Sequence, residues 1–233
     1  VCVPTPMSED GSQNSEIIEN VCRELALKCP ESIVVIKSTV LPTVLKRLIK
    51  VNDRLIYNPE FLREKHASED FKNSKVIIFG GDRNLSQRVA DFYSNHSNCI
   101  SKEYIYLDLL SASLVKYSIN TFLAQKVTFF NEIYEIYEKL EVEDSWEAII
   151  KSISSDERIG ESHMNVPGHD GKKGFGGACF PKDCAALIKF AFEEGIDTKV
   201  LRAVVEKNNE IRSNYHELDE REKAQNVSFK NNF

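Results

Sequence analysis

Between residues 1 and 108 the chain alternates short, nearly all-apolar runs with stretches of helical periodicity, and this alternation narrows the fold more than any other feature. Ile33–Ile36, Leu55–Tyr57, Val76–Phe79 and Tyr104–Leu107 are rich in β-branched and aromatic residues and almost without polar positions, as strands buried on both faces require. Val1-Cys2-Val3 reads as the end of a further buried strand, broken by Pro4 and Pro6. Between the runs, Ser15 to Lys28 carries Ile17, Ile18, Val21 and Leu25 at helical spacing, and residues 44–50 and 84–94 predict two more helices. This order predicts an α/β domain with a parallel sheet covered on both faces, whose ligands bind at the carboxyl ends of the strands.

After about residue 108 the strand pattern stops. Residues 110–140 contain no Gly or Pro and carry Leu114, Ile119, Phe122, Leu123, Val127, Phe130, Ile133, Tyr134, Tyr137 and Leu140, which predicts one helix on the order of 45 Å long. Its apolar positions wrap more than one face, so it is covered either by its own chain and a second copy or by one large helical core. Trp146 to Ile153 and Thr198 to Tyr215 predict shorter helices, and the charged stretch Glu217 to Lys223 is expected to fray.

Bulk properties exclude several classes. A net charge of -6 and the lack of a Lys/Arg run argue against a nucleic-acid partner. No apolar run approaches the roughly 20 residues that cross a bilayer, and no signal-peptide pattern opens the sequence, so the expected location is cytoplasmic, without a membrane partner. The six cysteines, Cys2, Cys22, Cys29, Cys99, Cys179 and Cys184, are scattered without Cys-x-x-Cys spacing, so neither disulfides nor a metal site is expected. Because the sequence opens at Val1 inside an apolar, strand-like segment, upstream sequence is expected.

The chemistry concentrates in Gly174-Phe175-Gly176-Gly177-Ala178-Cys179-Phe180-Pro181-Lys182-Asp183. Its glycines permit close backbone approach to a ligand, and Pro181 suits the first position of a helix. Cys179 then lies at a helix N-terminus, where unpaired amides, the dipole and Lys182 favour an anion, and the thiol pKa, about 8.5 in a free cysteine, should fall. A cysteine alone would more often be a small buried apolar residue.

The whole stretch resembles the catalytic segment of the UDP-glucose 6-dehydrogenase family, in the form closest to its UDP-glucose branch. The resemblance covers about residues 1 to 215 and implies a Rossmann-like remainder over 1–108, an all-helical dimerisation domain over 109–215 and a charged tail over 216–233. It also implies NAD as cofactor, UDP-glucose as the nucleotide-sugar substrate, and a homodimer built through the helical domain. Cys179 is then the group that carries the sugar as a thioester, Phe175 and Gly176 back the sugar nucleotide, and Lys182 and Asp183 lie near the cofactor and the proton path.

Other segments carry further resemblances. Val3-Pro4-Thr5-Pro6 is similar to the family's Val-x-Thr-Pro turn, which implies that Val3, Thr5 and Pro6 lie along the NAD ribose and phosphates. Ser38-Thr39-Val40 is similar to its Ser-Thr-Val, which implies a cofactor contact for Ser38 and Thr39 and a catalytic water held by Thr39. A Ser/Thr helix cap would leave the same trace, and Leu41-Pro42-Thr43 replaces the family's Pro-Pro-Gly-Thr. Asn58-Pro59-Glu60-Phe61-Leu62-Arg63-Glu64 resembles Asn-Pro-Glu-Phe-Leu-x-Glu, although Lys65 follows where the family often has glycine. There two carboxylates four apart, partly buried, would raise one pKa toward a base. Glu60 is the candidate base for thioester hydrolysis, Phe61 and Leu62 are candidate substrate contacts, and Glu64 lies near the cofactor; for Glu64 a solvated acidic turn balanced by Arg63 and Lys65 remains open.

Lys116 and Asn120, four apart on the long helix, could together support a substrate oxyanion, and they match a Lys-x-x-x-Asn pair shared with the wider β-hydroxyacid dehydrogenases. A polar stripe on an exposed face is the alternative. Asp156-Glu157-Arg158-Ile159-Gly160 resembles Asp-x-Arg-Ile-Gly, whose arginine reaches a partner's substrate; a surface ion pair of Arg158 with Asp156 or Glu161 is the alternative. The sequence contains no Gly-x-Gly-x-x-Gly phosphate loop, so the 233-residue chain alone is expected to bind NAD weakly or not at all. Three readings stand side by side: a four-electron nucleotide-sugar dehydrogenase, a two-electron β-hydroxyacid-type enzyme with Cys179 structural, and an inactive dimerisation module.

Overall fold

The computed structural model describes residues 1–63, 66–100 and 103–230, and the chain divides into two compact units, Val1–Thr5 with Gln13–Ser118, and Pro6–Ser12 with Ile119–Phe233. In the first unit four strands, β1 (Val34–Ile36), β2 (Leu55–Tyr57), β3 (Ile77–Gly80) and β4 (Tyr104–Leu107), form one sheet in the order β1-β2-β3-β4. Between them run α1 (Glu16–Lys28), α2 (Pro42–Val51), α3 (Ala67–Lys72) and α4 (Arg83–His96). Pro42 starts α2 where a missing N–H costs nothing, and the Asp82 carboxylate opens α4 by accepting from the Leu85 amide at 2.9 Å.

The sheet departs from the all-parallel expectation. β1 and β2 are parallel, Val34 facing Leu55, and β3 and β4 are parallel, Ile77 facing Tyr104, but β2 and β3 run antiparallel with Tyr57 opposite Gly80. A parallel crossover needs a connection packed across a sheet face. α3, six residues with none buried, does not supply one, and the chain returns along β2 in the opposite sense. Val1-Cys2-Val3 is not a regular strand, yet Val1 donates to Val35 O at 2.7 Å and accepts from Lys37 N at 2.9 Å, so it still lies along β1.

Ile56, Ile77, Phe79, Val89 and Ala90 form a core cluster of this unit, and Ile18 and Cys22 from α1 and Leu45 and Leu48 from α2 are buried as well. Full burial of a side chain the size of Phe79 contributes about 1.5–3 kcal/mol. The second unit is helical: the greater part of α5 (Leu109–Lys139), then α6 (Trp146–Ser154), α7 (Phe180–Glu193), α8 (Lys199–Arg212) and α9 (Glu220–Ala224). One cluster joins Ala124, Phe175, Cys184, Ile188 and Val205; another joins Phe130, Trp146, Met164 and Val166.

The C-terminal stretch expected to fray is an ordered, capped helix. Asp219 accepts from the Arg221 and Glu222 amides while Glu222 accepts from the Asp219 amide at 2.8 Å, a reciprocal capping box, and Glu222 is 2% exposed.

Candidate active site

Candidate residues fall into two groups, one in each unit. In the first unit they gather at the carboxyl end of β1. The Ser38 hydroxyl accepts from Val3 N at 2.8 Å and donates to Val3 O at 2.7 Å, and the buried Thr5 hydroxyl donates to Thr39 O at 3.0 Å. Gln13 donates to the same Thr39 carbonyl and receives Leu41 N. The two loops are therefore stitched together, and the helix-cap alternative is not what forms: α2 begins after Leu41, with no side-chain cap. Pro6 belongs to the segment assigned to the second unit. Hydroxyls and main-chain groups with no net charge suit ribose hydroxyls and a carboxamide, so this donor set fits the nicotinamide-ribose end of a dinucleotide.

The Asn58–Leu62 turn is held from below by two lysines. Lys116, buried on α5, donates to Glu60 O at 2.5 Å and lies 5.1 Å from the centroid of the Phe61 ring. Lys37 donates to Asn58 Oδ1 at 2.9 Å and Asn58 O at 3.3 Å, and burial pulls its ammonium pKa down. Asn58 is fully enclosed and ties the sheet together: its backbone N–H donates to Ile36 O, its amide to Ile78 O, and its oxygen accepts from Tyr93. Burial pushes the Tyr93 phenol up to about 12.

Glu60 itself is exposed, where partial burial was expected, because the turn buries its backbone and leaves the carboxylate outward. Phe61 and Leu62 are half-buried. Arg63 pairs in a bidentate manner with Asp70, holding that carboxyl down at about 2. Glu64 and Lys65 lie outside the described residues.

In the second unit Cys179 is the N-cap residue of α7 and is exposed, as a displayed nucleophile requires. Its neighbour Cys184 is fully buried, and burial drives that thiol far up, out of nucleophilic range. No disulfide joins any of the six cysteines. Asp183 is also buried and both oxygens are engaged: Asn120 donates to one at 2.6 Å and Lys182 to the other at 2.6 Å. Lys182, read as a cofactor contact, thus spends its charge on a buried ion pair with its own neighbour. Asn120 is oriented by Asp183, and Lys116, one helical turn earlier on α5, by the Asn58–Leu62 turn.

The Phe175 side chain is in the core, its amide donates to Asn208 Oδ1 at 2.6 Å, and its carbonyl accepts from Asn208 Nδ2 and Arg212 Nε. At Gly176 the space a side chain would fill is already occupied: a Cβ there would stand 1.6 Å from Arg212 Nη2. Glycine at 176 thus admits a guanidinium from within the chain, where a ligand was expected. Gly177, at φ +77°, adopts a left-handed turn and faces open space. Arg158 is exposed and bound to Asp156, the surface ion pair named as its alternative. The loop that carries it is fixed by Lys126, whose ammonium donates to Ile159 O and Gly160 O at 3.0 Å each and is lowered by burial.

Sequence reasoning missed Lys37, Asn58, Lys126, Arg212 and Glu222. Lys37 directly follows β1 and Asn58 directly follows β2, positions where α/β sheets bind ligands, and Asp219-x-x-Glu222 carries the capping-box spacing. Lys126 and Arg212 left no local signal. Among the described residues no group of three or more His, Cys, Asp or Glu side chains could hold a metal, and no helix is long and apolar enough to cross a membrane.

Residues 1–97 match the NAD binding domain of the UDP-glucose/GDP-mannose dehydrogenase family and residues 110–210 match its central domain. The chain is 32% identical over 228 residues to a UDP-glucose 6-dehydrogenase of Rickettsia felis, covering 92% of this chain and 48% of that protein. It is 30% identical to a UDP-glucose 6-dehydrogenase of Bacillus subtilis, covering 90% and 48%. The structure of a UDP-glucose dehydrogenase from the hyperthermophilic archaeon Pyrobaculum islandicum superimposes with a TM-score of 0.77 at 30% identity, over 90% of this chain and 49% of that one. The chain spans about half the length of the curated relatives it matches. With both halves of its length matched by successive domains of one family, an NAD-binding domain and then a central domain, the chain belongs to the UDP-glucose/GDP-mannose dehydrogenase family.

Proposed function

We propose that these residues serve the oxidation of a nucleotide sugar, UDP-glucose, to its 6-carboxylate through a thioester on Cys179. The observation that carries this reading is the exposed thiol of Cys179 at the N-terminus of α7, inside a ten-residue segment of the family's catalytic type. Bound NAD+ would supply the hydride acceptor for the two oxidations at C6. Val3, Thr5, Ser38 and Thr39 would hold its nicotinamide-ribose end.

The remaining steps belong to side chains. The Cys179 sulfur forms a bond to the aldehyde carbon, and the carbonyl oxygen becomes an oxyanion supported by Lys116 and Asn120. After hydride loss the thioester is cleaved by water: the C–S bond breaks, the thiol is regenerated and the carboxylate departs. Glu60, exposed on its turn, takes the proton of that water, with Thr39 as its second contact. Asp183 orients the Asn120 amide, and each of its oxygens, engaged by one donor, keeps a second lone pair through which a water could relay the alcohol proton. Arg158 is the substrate contact supplied by a partner copy.

The reading includes a homodimer and a cytoplasmic site of action, where six thiols stay reduced. Its support is an exposed apolar stripe on α5. This helix buries Lys116, Asn120, Lys126 and Asn131 beside Tyr117, Ala124 and Phe130, and leaves Leu114, Phe122, Phe129 and Ile136, spaced at seven or eight residues, more than half exposed. An apolar stripe of that length matches a second copy of itself.

The test is the yield of NADH per UDP-glucose consumed. Two per sugar, with carboxylate formation lost in Cys179→Ser, is expected. One per sugar, with Cys179→Ser active, would assign the chain to two-electron chemistry, and no turnover would favour a dimerisation module.

A further inference from the structure

The segment that presents Cys179 is gripped by a short helix at the far end of the chain. Glu222 of α9 is buried, and its Oε1 accepts from the Gly177 amide at 2.9 Å, two residues before the cysteine. Its other oxygen accepts from Asp219 N, so the carboxylate cannot turn without breaking the cap of its own helix. Arg212, 2% exposed, fills the space beside Gly176, donates through Nε to Phe175 O at 3.0 Å and through Nη2 to Asp170 at 2.7 Å, and stands 3.8 Å from Glu222. The end of α9 is anchored in turn: Met7 N donates to Gln225 O at 2.9 Å, Val227 N to Glu222 O at 2.9 Å, and Phe229 lies under the Arg212 guanidinium at 5.5 Å. All of these groups belong to the second unit.

We propose that α9 is a latch whose Glu222, with Arg212, clamps the Gly174–Gly177 backbone and so sets the presentation of Cys179. Several features separate this from ordinary packing. A charged carboxylate that is taken out of water costs several kcal/mol unless it is paired, so it is retained where its hydrogen bonds hold something. Here its partners are a loop amide, its own cap and a guanidinium, and the guanidinium bonds the loop at a second point. The glycines at 176 and 177 are the matching half: one leaves room for the arginine, the other makes the left-handed turn that aims its amide at Glu222. Glu222 and Arg212 are therefore positioning residues, acting through the loop on Cys179. The inference deepens the reading of Cys179 as the nucleophile, but its test needs no turnover, so the two can fail separately.

The experiment uses the intact chain and two measurements on Glu222→Ala and Glu222→Gln: hydrogen exchange of the 174–179 amides, and the rate of iodoacetamide labelling of Cys179 relative to exposed Cys29, resolved by peptide mass. Cys22 and Cys184, both buried, report any loss of the fold. In Glu222→Ala the 174–179 amides should exchange about tenfold faster, as expected for loss of one hydrogen bond to a charged group. The Cys179/Cys29 labelling ratio should fall about threefold as the thiol leaves its place at the helix N-terminus. Cys22 and Cys184 should stay unlabelled. Glu222→Gln, which keeps an acceptor for Gly177, should retain most of the protection. Unchanged exchange and labelling in Glu222→Ala would overturn the proposal, and so would labelling of Cys22 and Cys184 in step with Cys179, because the effect would then be on the whole fold.

Discussion

Two cysteines five residues apart show how position decides chemistry. Cys179 and Cys184 are the same side chain on the same helix, yet one caps its exposed end and the other faces Ala124, Phe175 and Ile188 in the core, where desolvation drives its thiol up. The place of Cys179 at an exposed helix start was legible through local signals, a glycine run and a proline just inside the helix. The partners of Gly176 were illegible because they lie 36 and 46 residues away, in Arg212 and Glu222. Gly176→Ala should therefore be costly for a reason internal to the chain. The added methyl displaces a buried guanidinium from Asp170 and Phe175, and a loss of about 1–3 kcal/mol of unfolding free energy by urea titration is expected. A loss no larger than that of Gly171→Ala, where the space is open and only the left-handed backbone at φ +74° opposes a side chain, would contradict this.

Among the elements, the strands and longer helices were readable because their signals are local: β-branched runs for β1 to β4, and periodicity with Pro42, Ser145 and Pro181 at the starts of α2, α6 and α7. The antiparallel step between β2 and β3 was not, since it depends on a short helix with no buried face, a tertiary fact. The same limit hid α9, whose charged composition reads as solvent-exposed until Glu222 finds Gly177 and Arg212. α5 buries Lys116, Asn120, Lys126 and Asn131 among apolar neighbours such as Tyr117, Ala124 and Phe130, and leaves an apolar stripe exposed. Replacing Phe122 and Phe129 together by Glu should halve the mass measured by sedimentation equilibrium, with α-helical circular dichroism unchanged. A wild-type chain already monomeric, or a double variant of undiminished mass, would remove the stripe as the dimer contact.

At the scale of the whole molecule, the chain carries two sets of groups, one in each unit. The first is a hydroxyl-lined turn at the end of β1 with the Asn58–Leu62 turn held by Lys37 and Lys116. The second is the Cys179 segment with its Asn120–Asp183–Lys182 chain and its α9 clamp. The resemblance in sequence named candidates for the reacting groups and little of the scaffold that fixes them, because those contacts are made by buried Lys, Arg and Asn side chains far off in sequence. The central proposal is that the Cys179 sulfur becomes acylated during turnover. The most direct measurement is an acid quench of the chain with UDP-glucose and an excess of NAD+ large enough to offset the weak binding expected of the chain, followed by peptide mass analysis. A glucuronyl-nucleotide adduct on the Cys179 peptide, released by hydroxylamine, is the predicted result; an unmodified Cys179 during turnover, or an adduct on another cysteine, would contradict it.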